Sequence, residues 1–398
     1  MIQVAYMSTY VPKKCGLATY THHLRHHVKQ AKLWNAADPV IVMADENEQG
    51  YGNNQALWPL AKHDREAYRA MAQRVNESGV SVVSLQHEFG IFGGEAGAYV
   101  LDFVRELKKP LVTTFHTVFA SPQEPYRSIQ REIAERSDRI VVMNRRAVGY
   151  LRQSFGIPEE NIVFIPHGTP VPNPQQREAV RQRLNWADKK VMMTFGLLSR
   201  GKGLELILEA LPQAVKEVPN LLYAVVGQTH PEVKKREGEA YREELMELIR
   251  RNRLERHVVM IDRYVDEEEL VQFLTACDLY VTPYPGMEQI TSGTLAYAVG
   301  LGRPVLSTPY SYAQDLLEGC DELLIPYGER ERWAEKIAAL LRDDSLRRDW
   351  EAKIGRIGSA MHWPQIGKRY ASLFVKLSKQ SGSTFEQTEG TPVAALSR

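Results

Sequence analysis

The sequence predicts an α/β protein made of two doubly wound, Rossmann-like parallel-sheet domains. Three observations predict it. Short apolar runs alternate with amphipathic stretches of helical period almost throughout the 398 residues. The apolar runs are continuous rather than alternating with polar residues, as in strands buried on both faces of a parallel sheet. The alternation breaks at Thr169-Pro170-Val171-Pro172-Asn173-Pro174, where three prolines in five residues make a stiff, non-helical connection.

Taken in order, strands are expected at residues 2–7, 40–44, 80–85, 111–115, 140–143 and 162–165. Helices are expected between them, as at 124–137 and 145–155. After the proline run come strands at 191–195, 221–226, 258–261, 279–282, 304–307 and 322–325, with helices at 204–215, 241–252 and 266–276. The expected domains are therefore 1–170 and 171–360. A last helix within 361–378 precedes a tail, 379–398, whose Ser, Gly, Thr, Gln and Glu content predicts disorder. Ligands of such sheets bind outside the C-terminal ends of the strands, and two such domains facing each other make a cleft.

Composition narrows the class. A 43% apolar and 25% charged chain is ordinary for a soluble globular protein. A net charge of +1 gives no basic face for nucleic acid. Cys15, Cys277 and Cys320 are odd in number and far apart, which fits reduced thiols and no metal knuckle. The first residues are strand-like with no signal-peptide pattern, and no apolar run reaches membrane-spanning length. A cytoplasmic protein is expected, at most peripheral at the inner face of a membrane.

The strongest motif is Gly196-Leu197-Leu198-Ser199-Arg200-Gly201-Lys202-Gly203, between a strand and a helix. Backbone N–H groups and the positive end of a helix dipole bind phosphate there. Arg200 offers a bidentate fork and Lys202 a mobile point charge, which suits a diphosphate. The loop departs from a Walker A pattern at Gly203, where Ser or Thr would hold magnesium. No Asp-x-Asp occurs either, so no metal is expected. A second anion site is expected at Thr291, Ser292 and Gly293, which open the next helix, with Glu288 just before them as a partner for sugar hydroxyls.

In the first half, His87, His116 and His167 all fall at strand ends. Around them lie Glu88, Gly93 and Gly94, while Gly16 joins the first strand to the first helix. His22, His23, His26 and His27 make two i, i+4 pairs, a spacing that binds zinc, but a partly exposed helix is the better reading. There is no Gly-x-Ser-x-Gly elbow, and no Gly-x-Gly-x-x-Gly follows the first strand, which weakens hydrolase and dinucleotide readings.

These segments together resemble the family 4 retaining glycosyltransferases of GT-B fold over roughly residues 1–378. The most specific pieces are Phe195-Gly196 with Arg200-Gly201-Lys202-Gly203, then Ala276-Cys277-Asp278 before a strand, and Gly302-Arg303-Pro304-Val305. The resemblance implies a metal-independent hexosyltransferase using a nucleoside-diphosphate sugar, GDP-mannose or UDP-glucose in type. It implies two domains facing across a cleft, the first on the acceptor side and the second on the donor side, with the last helix crossing back to the first. Arg200, Lys202, Gly196, Thr291, Ser292 and Gly293 would hold the diphosphate, Glu288 the donor sugar, and Arg263, Tyr264 and Val265 the base. His116 would lie near the transferred sugar and Gly16 near phosphate or acceptor. His87, Glu88, Gly93 and Gly94 would face a glycan, lipid-linked or small-molecule acceptor.

One departure is visible. Many members carry two glutamates with seven residues between them, but the eighth residue after Glu288 is Ala296, and alignment on Gly302-x-Pro304 puts Gln289 and Tyr297 there. That departure keeps two other readings open, a nucleotide-sugar epimerase of the same fold and a non-catalytic sugar-nucleotide or glycan binder. A P-loop nucleotidase is remote because Gly203 removes the metal ligand.

Overall fold

The computed structural model describes residues 2–31, 37–45, 51 and 54–386, with backbone alone for 380–386. Contacts divide the chain into two compact units, Met1–Pro166 with Trp363–Arg398, and His167–His362.

The first unit runs β1 (Val4–Ser8), α1 (Gly16–Ala31), β2 (Val40–Ala44), β3 (Leu57–Ala61), α2 (Arg65–Glu77), β4 (Val82–His87), α3 (Val100–Glu106), β5 (Leu111–Phe115), α4 (Tyr126–Arg136), β6 (Arg139–Val142), α5 (Arg145–Phe155) and β7 (Ile162–Phe164). Its seven strands are parallel, in the order β3-β2-β1-β4-β5-β6-β7. The chain winds outward from β1 to β3, then restarts on the other side of β1 at β4. The topological switch, where such sheets bind ligands, lies between β1 and β4. β1, β4 and β5 are buried along their whole length. That explains why continuous apolar runs located them. β3 has no counterpart among the expected strands because Pro59 sits at its centre. As an edge strand paired only with β2, it tolerates the missing N–H.

The second unit runs α6 (Arg177–Arg183), β8 (Lys190–Phe195), α7 (Leu204–Glu217), β9 (Leu221–Val226), α8 (Pro231–Glu237), α9 (Ala240–Arg251), β10 (Val258–Ile261), α10 (Glu267–Ala276), β11 (Leu279–Thr282), α11 (Gly293–Gly300), β12 (Val305–Ser307), α12 (Ser311–Leu316), α13 (Arg330–Arg342) and α14 (Asp344–Ser359). Its five parallel strands are ordered β10-β9-β8-β11-β12, so the switch lies between β8 and β11. The strand expected at 322–325 is instead a 3-10 turn, Asp321–Leu323, followed by a single bridge from Leu324 to Ser307. The expected proline linker starts beyond Thr169, which is fully buried in this unit. Thr169 bridges His362, and its N–H donates to Met361 O at 2.8 Å.

Asp278, 2% exposed before β11, gathers this unit's charged core. Its carboxylate accepts from Arg177 at 2.6 Å, from Arg181 and Arg347 at 3.1 Å each, and from the Val191 N–H at 2.7 Å. These bonds tie α6 and α14 to the starts of β8 and β11.

The last helix, α15 (Trp363–Glu386), belongs to the first unit and runs past the expected end at 378. The rest of the expected tail, 387–398, lies outside the described residues. Trp363, Ile366, Tyr370 and Phe374 recur at helical spacing, are buried, and join a core with Tyr20, Leu24 and Val28 of α1. Burying each such side chain is worth about 1.5–3 kcal/mol. The Trp363 ring stacks against His23 at 5.4 Å and His27 at 6.1 Å, so half of the histidine quartet serves this seam. Among the described residues no cluster of three or more His, Cys, Asp or Glu is placed to hold a metal ion, and no helix is long and apolar enough to cross a membrane.

Candidate functional site

At the β8/β11 switch of the second unit, loops from both strands converge. The loop after β8 makes one 3-10 turn, Arg200–Lys202, and Gly203 at φ +60° starts α7. Gly203 is demanded twice. L-residues avoid that φ, and a Cβ there would lie 2.2 Å from Pro283 O. The hydroxyl missing from this position is therefore excluded by the close approach of the β11 loop.

Lys202 Nζ donates to Tyr284 Oη at 2.8 Å and lies 4.4 Å from its ring centre. Tyr284 Oη is 2.8 Å from Thr294 Oγ1, which is 3.1 Å from Ser292 Oγ. Lysine can only donate, so the Tyr284 hydroxyl accepts from it, and one of the Tyr284 and Thr294 hydroxyls donates to the other. Ser292 caps α11, accepting from Leu295 N at 3.3 Å. Gly196 lies beneath, within 3.5 Å of both Lys202 and Thr294 as measured from an added Cβ. A lysine ammonium thus meets the positive end of α11 in one place, an electrostatic setting that suits an anion.

Gly293 opens α11 against the His167 ring, whose Nε2 is 3.5 Å from where a Cβ would be. His167 Nδ1 donates to Gly168 O at 2.7 Å, and burial pulls its pKa down to about 4. Thr291 Oγ1 is buried and, among the described residues, has no hydrogen-bond partner.

The structure does not bring Arg200 to Lys202. Its guanidinium forks onto Glu244 of α9, with both bonds at 2.6 Å, over the Tyr241 ring. The Glu244 bonds hold its pKa above the ordinary arginine value. Arg263 likewise forks onto Glu269 of α10, while Val265 packs on the core. Glu288 is exposed on a segment fastened at either side to the start of α12, through Ser311 N to Met287 O at 2.8 Å and Tyr312 N to Gln289 O at 2.9 Å. Gln289 turns its amide onto Thr291 O.

In the first unit, His116 and Glu88 follow β5 and β4. His116 Nε2 is 3.1 Å from Gln86 Oε1, and the ring meets Tyr20 edge-on at 4.9 Å. Glu88 accepts from Thr117 Oγ1 at 2.7 Å and from the Phe89 N–H at 3.0 Å, while burial pushes its carboxyl pKa up. Gly93 and Gly94, expected to face an acceptor, leave no room for a side chain. A Cβ on Gly93 would lie 1.9 Å from Lys62 O, and one on Gly94 would lie 2.6 Å from the Tyr99 ring. Gly16, the first residue of α1, faces open space.

His87 departs from the expectation of an acceptor-facing group. It is fully buried among Phe89, Phe92 and Phe115, and burial drives its pKa to about 3. An unfolded histidine titrates near 6.5, so the unfolded chain binds the extra proton first. Titration of His87 therefore costs the native state nothing above about pH 6.5 and up to about 1.4 kcal/mol per pH unit below it, down to its folded pKa. His87→Phe is expected to keep the fold at pH 7 and, in urea titrations, to show a flatter loss of stability between pH 6 and 4 than the wild type.

Two family models match the chain. One, described as Glycosyltransferase Family 4, matches residues 16–171, and the other, Glycosyl transferases group 1, matches residues 189–343. The chain belongs to glycosyltransferase family 4. A curated relative is the GDP-mannose-dependent alpha-(1-6)-phosphatidylinositol monomannoside mannosyltransferase of Mycolicibacterium smegmatis, 26% identical over 161 residues. That alignment spans 39% of this chain and 39% of the relative. Among solved structures, Anabaena HepE in complex with UDP superposes with a TM-score of 0.66 at 17% identity, covering 97% of this chain and 100% of that one. A glycosyltransferase from Rickettsia africae ESF-5 gives 0.71 at 12% identity, covering 95% and 99%. The likeness is one of fold, and that fold is GT-B with two Rossmann-like sheets.

In this family 4 glycosyltransferase Tyr297, one of the two residues weighed above for the second glutamate, has an arrangement of its own. Tyr297 of α11 donates to the carboxylate of Glu267, the first residue of α10, and its ring centre is 6.2 Å from that of His167. Sequence reasoning passed over Glu267, which sits in an acidic run that reads as a helix start. It also passed over Tyr284, inside a Pro-Tyr-Pro-Gly turn. The available signal was a tyrosine in a loop that needs none.

Proposed function

We propose that this glycosyltransferase moves a hexose from a nucleoside-diphosphate sugar to an acceptor hydroxyl with retention of configuration and without a metal. The observation that carries the reading is the meeting of Lys202, Tyr284, Thr294 and the α11 N-terminus at the β8/β11 switch. A departing nucleoside diphosphate gains negative charge. A fixed ammonium and oriented backbone N–H groups stabilise that charge with little reorganisation. Glu288 would take donor-sugar hydroxyls, residues 263–265 the base, His116 the transferred sugar, Gly16 phosphate or acceptor, and Glu88 the acceptor. The relative's name favours GDP-mannose as donor and a lipid-linked acceptor, with a peripheral membrane contact to match, while UDP in HepE keeps a UDP-sugar in view.

Arg200 would join the diphosphate only by leaving Glu244. Because that pair is exposed, the exchange costs little. Glu244→Gln is expected to lower the donor KM by about two- to fivefold at unchanged kcat, read from initial rates, and Arg200→Ala to raise it.

The test of the function is a thermal-shift titration of the full chain with UDP, GDP, ADP and their sugars, with and without EDTA. Ligand at 100 times its Kd adds about 2.7 kcal/mol, which is readily seen. A shift with one nucleoside diphosphate, unchanged by EDTA and lost in Lys202→Ala, is the expected result. No shift with any of them would overturn the donor reading.

A further inference from the structure

We infer that Gln86 is a positioning residue that fixes the tautomer of His116. Gln86 is fully buried near the end of β4, and its carboxamide is committed at both ends. Nε2 donates to Ser84 Oγ at 3.1 Å and faces Thr114 Oγ1 at 3.5 Å. Oε1 faces His116 Nε2 at 3.1 Å. A carboxamide oxygen only accepts, so the neutral imidazole carries its proton on Nε2 and presents Nδ1 as an acceptor.

The amide borders a buried hydroxyl network. Thr114 Oγ1 is 3.0 Å from Tyr370 Oη, which is 3.2 Å from Tyr20 Oη, and the Tyr20 ring lies edge-on to His116. Residues from α1, α15, β4 and β5 thus pack around one imidazole, and Gln86 Oε1 is the contact that sets its tautomer. An Nδ1 acceptor suits a sugar hydroxyl donating to it. That use of His116 rests on the function proposed above, while the tautomer does not.

The test labels the histidine rings of the full chain with 15N and identifies His116 by the signal lost in His116→Ala. The wild type is expected to show a pyrrole-type Nε2 and a pyridine-type Nδ1. Gln86→Met is expected to give mixed tautomers and a fall of about tenfold or more in kcat at unchanged donor KM, the lower end of the scale known for hydrogen-bond partners of metal-ligating histidines. Gln86→Glu is expected to hold the ring as imidazolium to higher pH. Thr114→Val, which leaves Gln86 and His116 in place but frees the amide to turn, is expected to shift the spectrum toward Gln86→Met, and serves if the latter folds poorly. A wild-type proton on Nδ1, or a His116 spectrum unchanged in both variants, would overturn the inference. Full activity in His116→Ala would instead overturn the histidine's place at the sugar and leave the tautomer assignment standing.

Discussion

Lys202→Ala is expected to lower kcat by about 10²–10³-fold while leaving the melting temperature nearly unchanged. One preorganised donor aimed at developing charge is worth about 3–4 kcal/mol of barrier in a water-poor site. Lys202 is the cation that the structure brings to Tyr284 and α11, with Arg200 parked on Glu244. The fold asks little of it, since the Tyr284 hydroxyl keeps Thr294 as a partner when the ammonium is gone. Initial rates at saturating donor, paired with thermal unfolding, separate the two roles. If kcat and melting temperature fall together, Lys202 is structural and the leaving-group argument fails. Tyr284→Phe keeps the ring and deletes the hydroxyl that pins the ammonium. Its rate loss should be smaller than that of Lys202→Ala.

The largest stability effect is expected at Asp278. Its carboxylate is the shared anion for three arginines and one backbone N–H. Removing one partner of a buried ion cluster costs about 3–5 kcal/mol, because the remaining charges stay buried without compensation. Arg181, 8% exposed, has no route to water without moving α6. Asp278→Asn keeps an acceptor for Val191 N and should fall between wild type and Asp278→Ala in urea midpoint. A shift equivalent to less than about 1 kcal/mol for the alanine variant would show that the arginines find other acceptors, such as the Thr275, Ala276 and Cys277 carbonyls already bonded to Arg177 and Arg181.

How much of this was legible depends on the distance over which each feature is decided. Strands such as 111–115 and 221–226 are written in consecutive apolar residues, and their parallel pairing follows from the helices between them. β3 is hidden because Pro59 argues against any strand, and only its place at the sheet edge permits it. The apolar residues 323–325 carry strand propensity, but too little partner strand exists beside β12 for more than one bridge. Lys202 could be read from its loop because glycine framing and charge are local. The partner that draws Arg200 away is 44 residues on, and the tyrosine that fixes Lys202 is 82 residues on, so neither relation has a local signature. Gln86 and His116 are likewise 30 residues apart, brought together by neighbouring strands.

The path of the chain carries a consequence for synthesis. The second unit runs from His167 to His362, with Thr169 and His362 paired side by side, so all its parts have been made once residue 362 is in place. The first unit begins at the N-terminus, yet its core takes Trp363, Ile366, Tyr370 and Phe374 from the far end. Domains usually close in the order in which they leave the ribosome. Here the inserted unit can close while the earlier one still lacks its final helix. An emerging chain would hold the α1 face that awaits α15 open to chaperones, and the unit whose residues come first would be the last to finish.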